Sequence, residues 1–154
     1  MNLRPTVRPA TGSDLPLLRR FQQAIVAAER PFDPTLKSGR LQYYDLDALV
    51  TRPDACLLVA VDADQIIGTG YARLAAAEPF LQHARYAHLG FMYVEPDYRR
   101  RGINALIIEA LKQWAGAQGV TELRLKVYAQ NVSARQAYEK FGFSSHLLEM
   151  RLGA

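Results

Sequence analysis

The sequence has little cysteine and histidine and no long apolar run. Cys56 is the single cysteine among 154 residues, which excludes an internal disulfide framework and a multi-cysteine zinc site. The three histidines, His83, His88 and His146, lack metal-ligand spacing, so no metal is expected. The longest apolar run that looks structural, Cys56 to Val61, has six residues. A membrane-spanning helix needs roughly twenty.

The N-terminal residues also lack the apolar core of a signal peptide. These absences predict a reduced, cytoplasmic protein that does not associate with a membrane. The 49% hydrophobic and 22% charged residues are globular proportions rather than disordered ones. The length predicts one domain over residues 1–154.

The charge is positive and is carried mainly by arginine. The formal net charge is +4, and 15 of the 19 cationic side chains are arginine, which suits bidentate recognition of anions. Arg99, Arg100 and Arg101 are consecutive. A nucleic-acid site would show affinity that falls steeply with salt. No stacking aromatic residues interleave with the cluster, so a nucleic-acid partner is not expected.

The spacing of apolar and turn-forming residues predicts a mixed α/β or α+β fold, with helices on both faces of one sheet. The expected strands are residues 6–8, 56–61, 65–74, 86–94, 120–128 and 145–152. The expected helices are residues 15–28, 45–50, 103–117 and 131–141.

The segment 98–104 has the composition of an anion site. It lies between a predicted buried strand and a predicted helix N-terminus, where free backbone N–H groups and the helix dipole favour negative charge. Gly102 would let a phosphate approach the backbone closely. A pyrophosphate cradle is one interpretation; a basic solvated loop and a nucleic-acid patch remain the alternatives. No Gly-Lys-Ser/Thr or Gly-x-Gly-x-x-Gly motif is present.

Two motifs resemble the signatures of the GNAT N-acetyltransferase superfamily. The first is the acyl-CoA signature, which here is Arg99-x-x-Gly102-x-Asn104. The second is Asn131-x-x-Ala134-x-x-x-Tyr138-Glu-Lys-x-Gly142-Phe143. They occur in the family's order, separated by one helix and one strand, and the resemblance covers nearly the whole chain. Asn104 departs from the usual glycine or alanine, and we expect it to be accommodated because asparagine tolerates unusual backbone angles.

The resemblance implies a mixed, mostly antiparallel central sheet of six to seven strands with helices on both faces. It implies an N-acetyltransferase that moves an acetyl group from acetyl-CoA, a co-substrate, to a primary amine by direct attack in a ternary complex. A non-catalytic acyl-CoA-binding regulatory module is the alternative. The resemblance also implies that late strands can pair subunits, so a homodimer is an option.

The resemblance assigns most cofactor contacts to backbone groups. Amides of residues 100–105 would hold the pyrophosphate, and Met92 and Val94 would pair with the pantetheine arm. The Met92 N–H would also stabilise the developing oxyanion. The Asn131 side chain would bond the pantetheine. The implied cofactor residues are Met92, Val94, Arg99, Arg100, Arg101, Gly102, Ile103, Asn104, Ala105, Asn131 and Tyr138.

Two proton transfers need groups of their own. Tyr138 is the expected general acid toward the CoA thiolate; its alternative role is packing on the sheet. His88 occupies the strand position where the resemblance implies a base, with water or a purely structural histidine as alternatives.

The acceptor side is expected to come from the loop after the first helix and from the strand near Tyr86. Carboxylates and aromatic rings there would suit a cationic amine, whether a small molecule, a peptide N-terminus or a lysine. Arg30 and Arg40 in the same stretch leave a substrate with a carboxylate or phosphate open. The expected substrate residues are Glu29, Asp33, Tyr43, Tyr44 and Tyr86.

Overall fold

The computed structural model describes residues 4–153 and contains one five-stranded sheet. The sheet order follows the chain order, and neighbours pair antiparallel except the last two strands, which pair parallel. The strands are β1 (Thr6–Pro9), β2 (Ala55–Asp62), β3 (Gln65–Ala76), β4 (Arg85–Val94) and β5 (Leu123–Leu125).

Four α-helices accompany the sheet: α1 (Leu15–Glu29), α2 (Leu46–Thr51), α3 (Ile103–Ala117) and α4 (Val132–Phe141). Asp45 caps α2, accepting from the Ala48 N–H at 3.1 Å. The N-terminus of α1 is fixed through the buried Asp14 carboxylate, which accepts from the Thr11 N–H at 2.7 Å and from Arg8 at 2.8 Å. These bonds lower the pKa of Asp14 to about 2, the bond from Arg8 having the largest effect.

The sheet is covered on both faces, as predicted. Along β2, Leu58 and Ala60 belong to the core that contains α3, whereas Leu57 and Val59 belong to the core under α1 and α2. This alternation is the period-two pattern of a strand buried on both faces. The site described below lies where β4 passes between these two cores.

The structure corrects the predicted end of the sheet. The strand expected over 120–128 is ordered as a strand only at Leu123–Leu125, and residues 145–152, expected as a last strand, form no strand. The sheet therefore has five strands among the described residues rather than six to seven. The physical reason is pairing: apolar alternation predicts a strand only where a hydrogen-bonding neighbour is present. The other predicted strands and helices are confirmed within three residues at each end.

Residues 4–153 contain neither a bilayer-spanning helix nor a cluster of metal ligands. No helix there combines the length and apolarity required to cross a bilayer. No group of three or more His, Cys, Asp or Glu side chains in that range is arranged to hold a metal ion.

Candidate active site

A β-bulge interrupts β4 in its second half. Thr69 pairs with Tyr93 and Tyr71 pairs with Gly90, so the single residue Gly70 lies opposite two residues of β4. The first of these, Phe91, has a φ of +55°, which is rare for a bulky residue. Bulges of this kind redirect the backbone and recur next to functional sites.

The bulge changes which backbone groups face β5. Before it, the Ala87 N–H donates to the Glu122 carbonyl at 2.8 Å, on the β5 side. After it, the Glu95 N–H donates to Ile67 at 2.8 Å, on the β3 side. Because direction alternates along a strand, the N–H and C=O groups of Met92 and Val94 face away from β3.

These groups meet an open edge. The parallel pairing of β4 with β5 covers only Ala87 to Leu89, and the two strands have no further ladder in the described chain. Beyond Leu89 the β4 edge that carries Met92 and Val94 therefore has no strand neighbour in the described chain, although the Val94 carbonyl accepts a hydrogen bond from Arg99. An extended amide-containing ligand can add to such an edge as an extra strand.

Tyrosine packing requires a glycine just before the bulge. A Cβ atom on Gly90 would lie 2.6 Å from ring atoms of Tyr71, so only glycine allows this ring to lie over the strand. The Tyr71 ring centre is 5.7 Å from that of Tyr44, which lies 4.9 Å from that of Phe91. An aromatic wall therefore covers the bulge on the α1 face.

The loop after β4 ends at the N-terminus of α3, as predicted. Arg100 and Gly102 both have left-handed backbone angles, with φ of +64° and +79°. The first intrahelical bond runs from the Leu106 N–H to the Gly102 carbonyl at 3.0 Å. The N–H groups of Ile103, Asn104 and Ala105 therefore precede the hydrogen-bonded turns and are available to an anion.

The three consecutive arginines differ in their contacts. Arg99 Nε donates to the Val94 carbonyl at 2.9 Å, which ties the loop to the end of β4. The Arg101 guanidinium lies 5.4 Å from the centre of the Tyr98 ring. Arg100 makes no side-chain hydrogen bond within the described residues. Arg99 thus stabilises the loop, whereas Arg100 and Arg101 are exposed cations close to the N-terminus of α3.

The second motif lies at α4. Asn131 is its N-cap, and its Oδ1 accepts from the Ala134 N–H at 3.3 Å. The capping bond uses the oxygen, which leaves the amide NH2 for a ligand. Burial raises the pKa of Tyr138 to about 12, and the charge of Glu29 adds to this effect. Tyr138 therefore keeps its proton at neutral pH.

Glu29 lies near enough to four tyrosines for its charge to affect them. Burial raises the pKa of this carboxyl, partly offset by the Tyr43 hydroxyl. Its negative charge in turn contributes to the raised pKa values of Tyr43, Tyr44, Tyr128 and Tyr138. Three residues expected on the acceptor side thus lie near Tyr138, the acid expected from α4: Glu29, Tyr43 and Tyr44. Tyr128 was missed, because it comes from beyond β5 and no local pattern marks it.

A glutamine side chain holds the backbone of two of these tyrosines in place. Buried Gln22 accepts from the N–H groups of both Tyr43 and Tyr44, at 2.9 and 3.0 Å. The buried Tyr43 hydroxyl has no hydrogen bond that satisfies both distance and angle within the described chain. A half-buried carboxylate beside an unsatisfied hydroxyl has the chemistry to bind a polar donor.

His88 lies in a cationic environment. Burial, and secondly Arg73 and Lys126, lower the pKa of this imidazole below its ordinary value. Its partner across the β3–β4 ladder is Arg73, and its ring centre lies 6.1 Å from that of Tyr71. His88 is therefore neutral at pH 7, but the surrounding positive charge disfavours an ammonium ion beside it.

Two of the expected substrate residues have partners in the protein. The Asp33 carboxylate accepts from the Thr35 N–H at 3.0 Å and pairs with Arg151 at 3.1 Å. The Tyr86 ring is covered by Arg124, whose guanidinium carbon is 3.9 Å from the ring centre. Both residues thus have a cationic partner, whereas Glu29 has no ion pair among the described residues.

Comparison with known proteins identifies the family. The model of the Acetyltransferase (GNAT) family matches residues 21–143. The chain belongs to the GNAT acetyltransferase family. This confirms the family that the two motifs predicted.

Several known proteins resemble the chain in sequence or in fold. It is 29% identical over 103 residues to the aminoglycoside N(6')-acetyltransferase type 1 of Klebsiella aerogenes, covering 64% of this chain and 65% of that protein. A mutant of the BH1408 protein from Bacillus halodurans has a TM-score of 0.87 at 24% identity, covering 97% and 99% of the two chains. A predicted acetyltransferase from Clostridium acetobutylicum, solved with acetyl-CoA, has a TM-score of 0.71 at 21% identity, covering 97% and 96%.

The curated GNAT relatives are longer than the matched region. The chain spans about a third to two thirds of the length of those it matches.

Asn104, the departure from the GNAT signature, lies in the first turn of α3 without a left-handed backbone angle. The conformational tolerance of asparagine is therefore not needed at this position.

Proposed function

We propose that this GNAT protein transfers an acetyl group from acetyl-CoA to a primary amine. The observation that carries the proposal is the open edge of β4 after the bulge, which backbone groups of Met92 and Val94 face. The same strand leads directly into the amide-rich N-terminus of α3. An open strand edge followed by an anion site suits a long molecule with amides along its arm and a pyrophosphate at its end.

Each part of acetyl-CoA fits residues already described. Backbone N–H groups of Ile103, Asn104 and Ala105 would hold the pyrophosphate, with Arg100 and Arg101 exposed beside it. Backbone groups of Met92 and Val94, with the amide NH2 of Asn131, would hold the pantetheine arm. Acetyl-CoA supplies an activated thioester, and the Met92 N–H would stabilise negative charge that develops on its carbonyl oxygen.

Tyr138 is the proposed general acid. Its raised pKa of about 12 keeps it protonated across the physiological range, so it can always donate a hydrogen bond to a leaving thiolate. The tyrosine also packs against the core beneath α3, which fixes the position of its hydroxyl.

We propose that Glu29, rather than His88, receives the cationic amine and takes its proton, directly or through water. The Tyr43 hydroxyl lies beside Glu29, and the carboxylate offers the charge opposite to that of an ammonium group. Burial raises the pKa of Glu29, which makes it a better base than an exposed glutamate. His88 instead has Arg73 and Lys126 beside it.

The acceptor is proposed as a class and not as one compound. The proteins that are similar in sequence include an aminoglycoside acetyltransferase and a ribosomal-protein alanine N-acetyltransferase. Both names describe acetylation of an amine, on a small molecule in one case and on a protein in the other. An unhindered primary amine is common to both and suits a site with one central carboxylate.

The test is calorimetric titration with acetyl-CoA, followed by detection of free thiol with a panel of amines. The panel should include aminoglycosides, polyamines and peptides with free N-termini. We expect binding of acetyl-CoA and amine-dependent thiol release. Binding without release on any amine would instead favour the non-catalytic acyl-CoA-binding module. Absence of binding by the folded protein would contradict the proposal.

A further inference from the structure

A row of basic residues crosses three neighbouring strands of the sheet. Arg73 of β3 lies opposite His88 of β4, and His88 lies opposite Arg124 of β5. We call these three residues the basic row. Like charges on neighbouring strands destabilise a sheet, so such a row calls for an explanation in terms of what it binds.

The basic row lies on the α1 face of the sheet. Side chains alternate between the two faces along a strand. The residues that flank the row are part of the core that contains α3 or pack against it: Ala72, Leu74, Ala87, Leu89, Leu123 and Leu125. The row therefore points to the other face, where the His88 ring centre is 6.1 Å from that of Tyr71. This is the face that carries the aromatic wall and the proposed acceptor side.

The positive charge of the row is only partly neutralised by the protein. Arg124 pairs with Glu78 at 3.3 Å. Arg73 has no ion pair within residues 4–153. Its charge contributes to the lowered pKa of Asp54, after the larger effect of Arg52, but that carboxylate pairs with Arg52 at 2.7 Å. Arg73 is therefore a half-exposed cation that is left for a ligand.

Lys126 adds a second uncompensated cation at the same place. It directly follows Leu125, whose partner Leu89 is the last residue of β4 in the β4–β5 ladder. Lys126 is exposed and has no ion pair in the part of the chain that is described. After burial, the charges of Arg73 and Lys126 are what lower the pKa of His88, so both cations lie near this ring. An anion bound between them would offset their mutual repulsion.

These cations lie within reach of the proposed reaction site. His88 precedes Met92 by four residues, which is at most about 13 Å along an extended strand. The strand between them passes Gly90, over which the Tyr71 ring lies. A molecule of moderate length that follows this face of β4 would therefore have one end near the Met92 N–H and the other at the basic row.

We propose that the acceptor is a small amine that also carries an anionic group, a carboxylate or a phosphate, and that Arg73 and Lys126 bind this group. The inference rests on the proposed acetyl transfer and narrows its substrate class. A guanidinium binds either anion through two parallel hydrogen bonds. The ammonium end would lie at Glu29, so the acceptor would extend between groups of opposite charge. A polyamine would instead place a second positive charge beside Arg73 and Lys126, which disfavours it.

The test compares amines that differ only in the group at their far end. At each of several chain lengths, the series contains an ω-amino carboxylate, an ω-aminoalkyl phosphate, an ω-amino alcohol and a diamine. Thiol release at saturating acetyl-CoA gives kcat and KM. We expect kcat/KM for an anionic acceptor to exceed that for the amino alcohol about tenfold or more, mainly through KM, and the diamine to be poorest. The better of the two anions identifies the natural group.

A double variant tests the two cations directly. Arg73→Gln with Lys126→Gln should lower kcat/KM for the anionic acceptor about tenfold and that for the amino alcohol less than about twofold. The matched control is Arg20→Gln with Lys112→Gln, which removes the same charges from exposed positions of α1 and α3 and should keep the preference. The melting temperature of Arg73→Gln with Lys126→Gln should not fall, because the variant removes repulsion rather than an ion pair.

The outcomes separate this inference from the proposed function. Acetyl transfer with equal kcat/KM for the amino carboxylate, the amino phosphate and the amino alcohol would overturn the inference and leave the transfer standing. A preference for the anion that survives the double variant would also overturn it. Thiol release with no amine would contradict the proposed function itself. Calorimetric titration of the native protein and the double variant with the anionic amines would then test the anion site alone, and equal binding by both proteins would overturn it.

Discussion

The proposed cofactor side and the proposed acceptor side of the site consist of different chemical groups. The proposed cofactor side uses backbone groups of β4 and of the first turn of α3, next to a bulge and a left-handed glycine. The proposed acceptor side uses side chains: Glu29 and the tyrosines near it. Backbone groups offer the same chemistry whatever the residue, so the cofactor side can stay constant while the acceptor side changes. This difference predicts unequal responses to substitution.

The largest effect is expected at Gly102. Gly102→Glu places a carboxylate in open space at the N-terminus of α3, where it would repel the pyrophosphate. We expect acetyl-CoA affinity to fall about 100-fold or more, equivalent to roughly 2.8 kcal/mol. Calorimetry gives the affinity. Gly102→Ala, with the same left-handed strain and no charge, is the control and should lose much less. Equal losses would mean that backbone strain, not charge, matters.

Tyr138→Phe removes the proposed proton donor and little else. The ring still packs against the α3 core, so acetyl-CoA affinity should change little. We expect kcat to fall about 100-fold, the lower end for general acid catalysis. Steady-state thiol release against a reactive amine measures this. An unchanged kcat would leave Tyr138 as a packing residue only.

Glu29→Gln should affect the amine and not the cofactor. We expect kcat/KM for the amine to fall about 10- to 100-fold, with unchanged acetyl-CoA affinity. The carboxylate form is the active one, so native activity should fall as pH drops through the raised pKa, and the variant should lack that limb. The raised pKa also means that ionisation of Glu29 destabilises the folded state at neutral pH. This destabilisation disappears as the pH falls below the pKa that Glu29 has in the unfolded chain.

Glu29→Gln should accordingly leave the melting temperature at pH 7 unchanged or higher. Lower activity with no loss of stability is the signature of a functional rather than structural carboxylate. A variant that keeps full activity and the native pH profile would return the base to His88 or to water.

The smallest effect is expected at His88. His88→Ala should change kcat/KM by no more than about threefold, whereas loss of the actual base would cost roughly 100-fold. The lowered pKa of His88 means that the unfolded chain binds its proton more readily, so this residue favours unfolding as the pH falls toward 6. Measuring both the catalytic rate and the thermal unfolding temperature between pH 5 and 8 would separate the effect of His88 on catalysis from its effect on stability.

The contrast between the two sides also explains what the sequence could predict. Gly102 and Tyr138 could be predicted because each lies in a short contiguous motif. The N-terminal turn of a helix and a capped helix are local structures. The relation between Glu29 and Tyr128 is not local, since the residues are 99 positions apart and meet only after the sheet forms. The backbone groups of Met92 face the open edge of β4, and the sequence does not show this because neither the bulge nor the short β5 was predicted. The predicted strand over 145–152 failed because its alternation identifies a strand face without identifying a neighbour.

The bulge at Phe91 has a consequence for how such a protein can change. A strand has a repeat of two, so one added residue either reverses the facing of every later residue or is absorbed by a bulge. Here it is absorbed, because Tyr71 pairs with Gly90 and Thr69 pairs with Tyr93 on the two sides of the extra residue. Removing one residue at the bulge would therefore leave Met92 and Val94 facing away from β3. The bulge is thus a place where the length of the strand can change while the open edge keeps its direction.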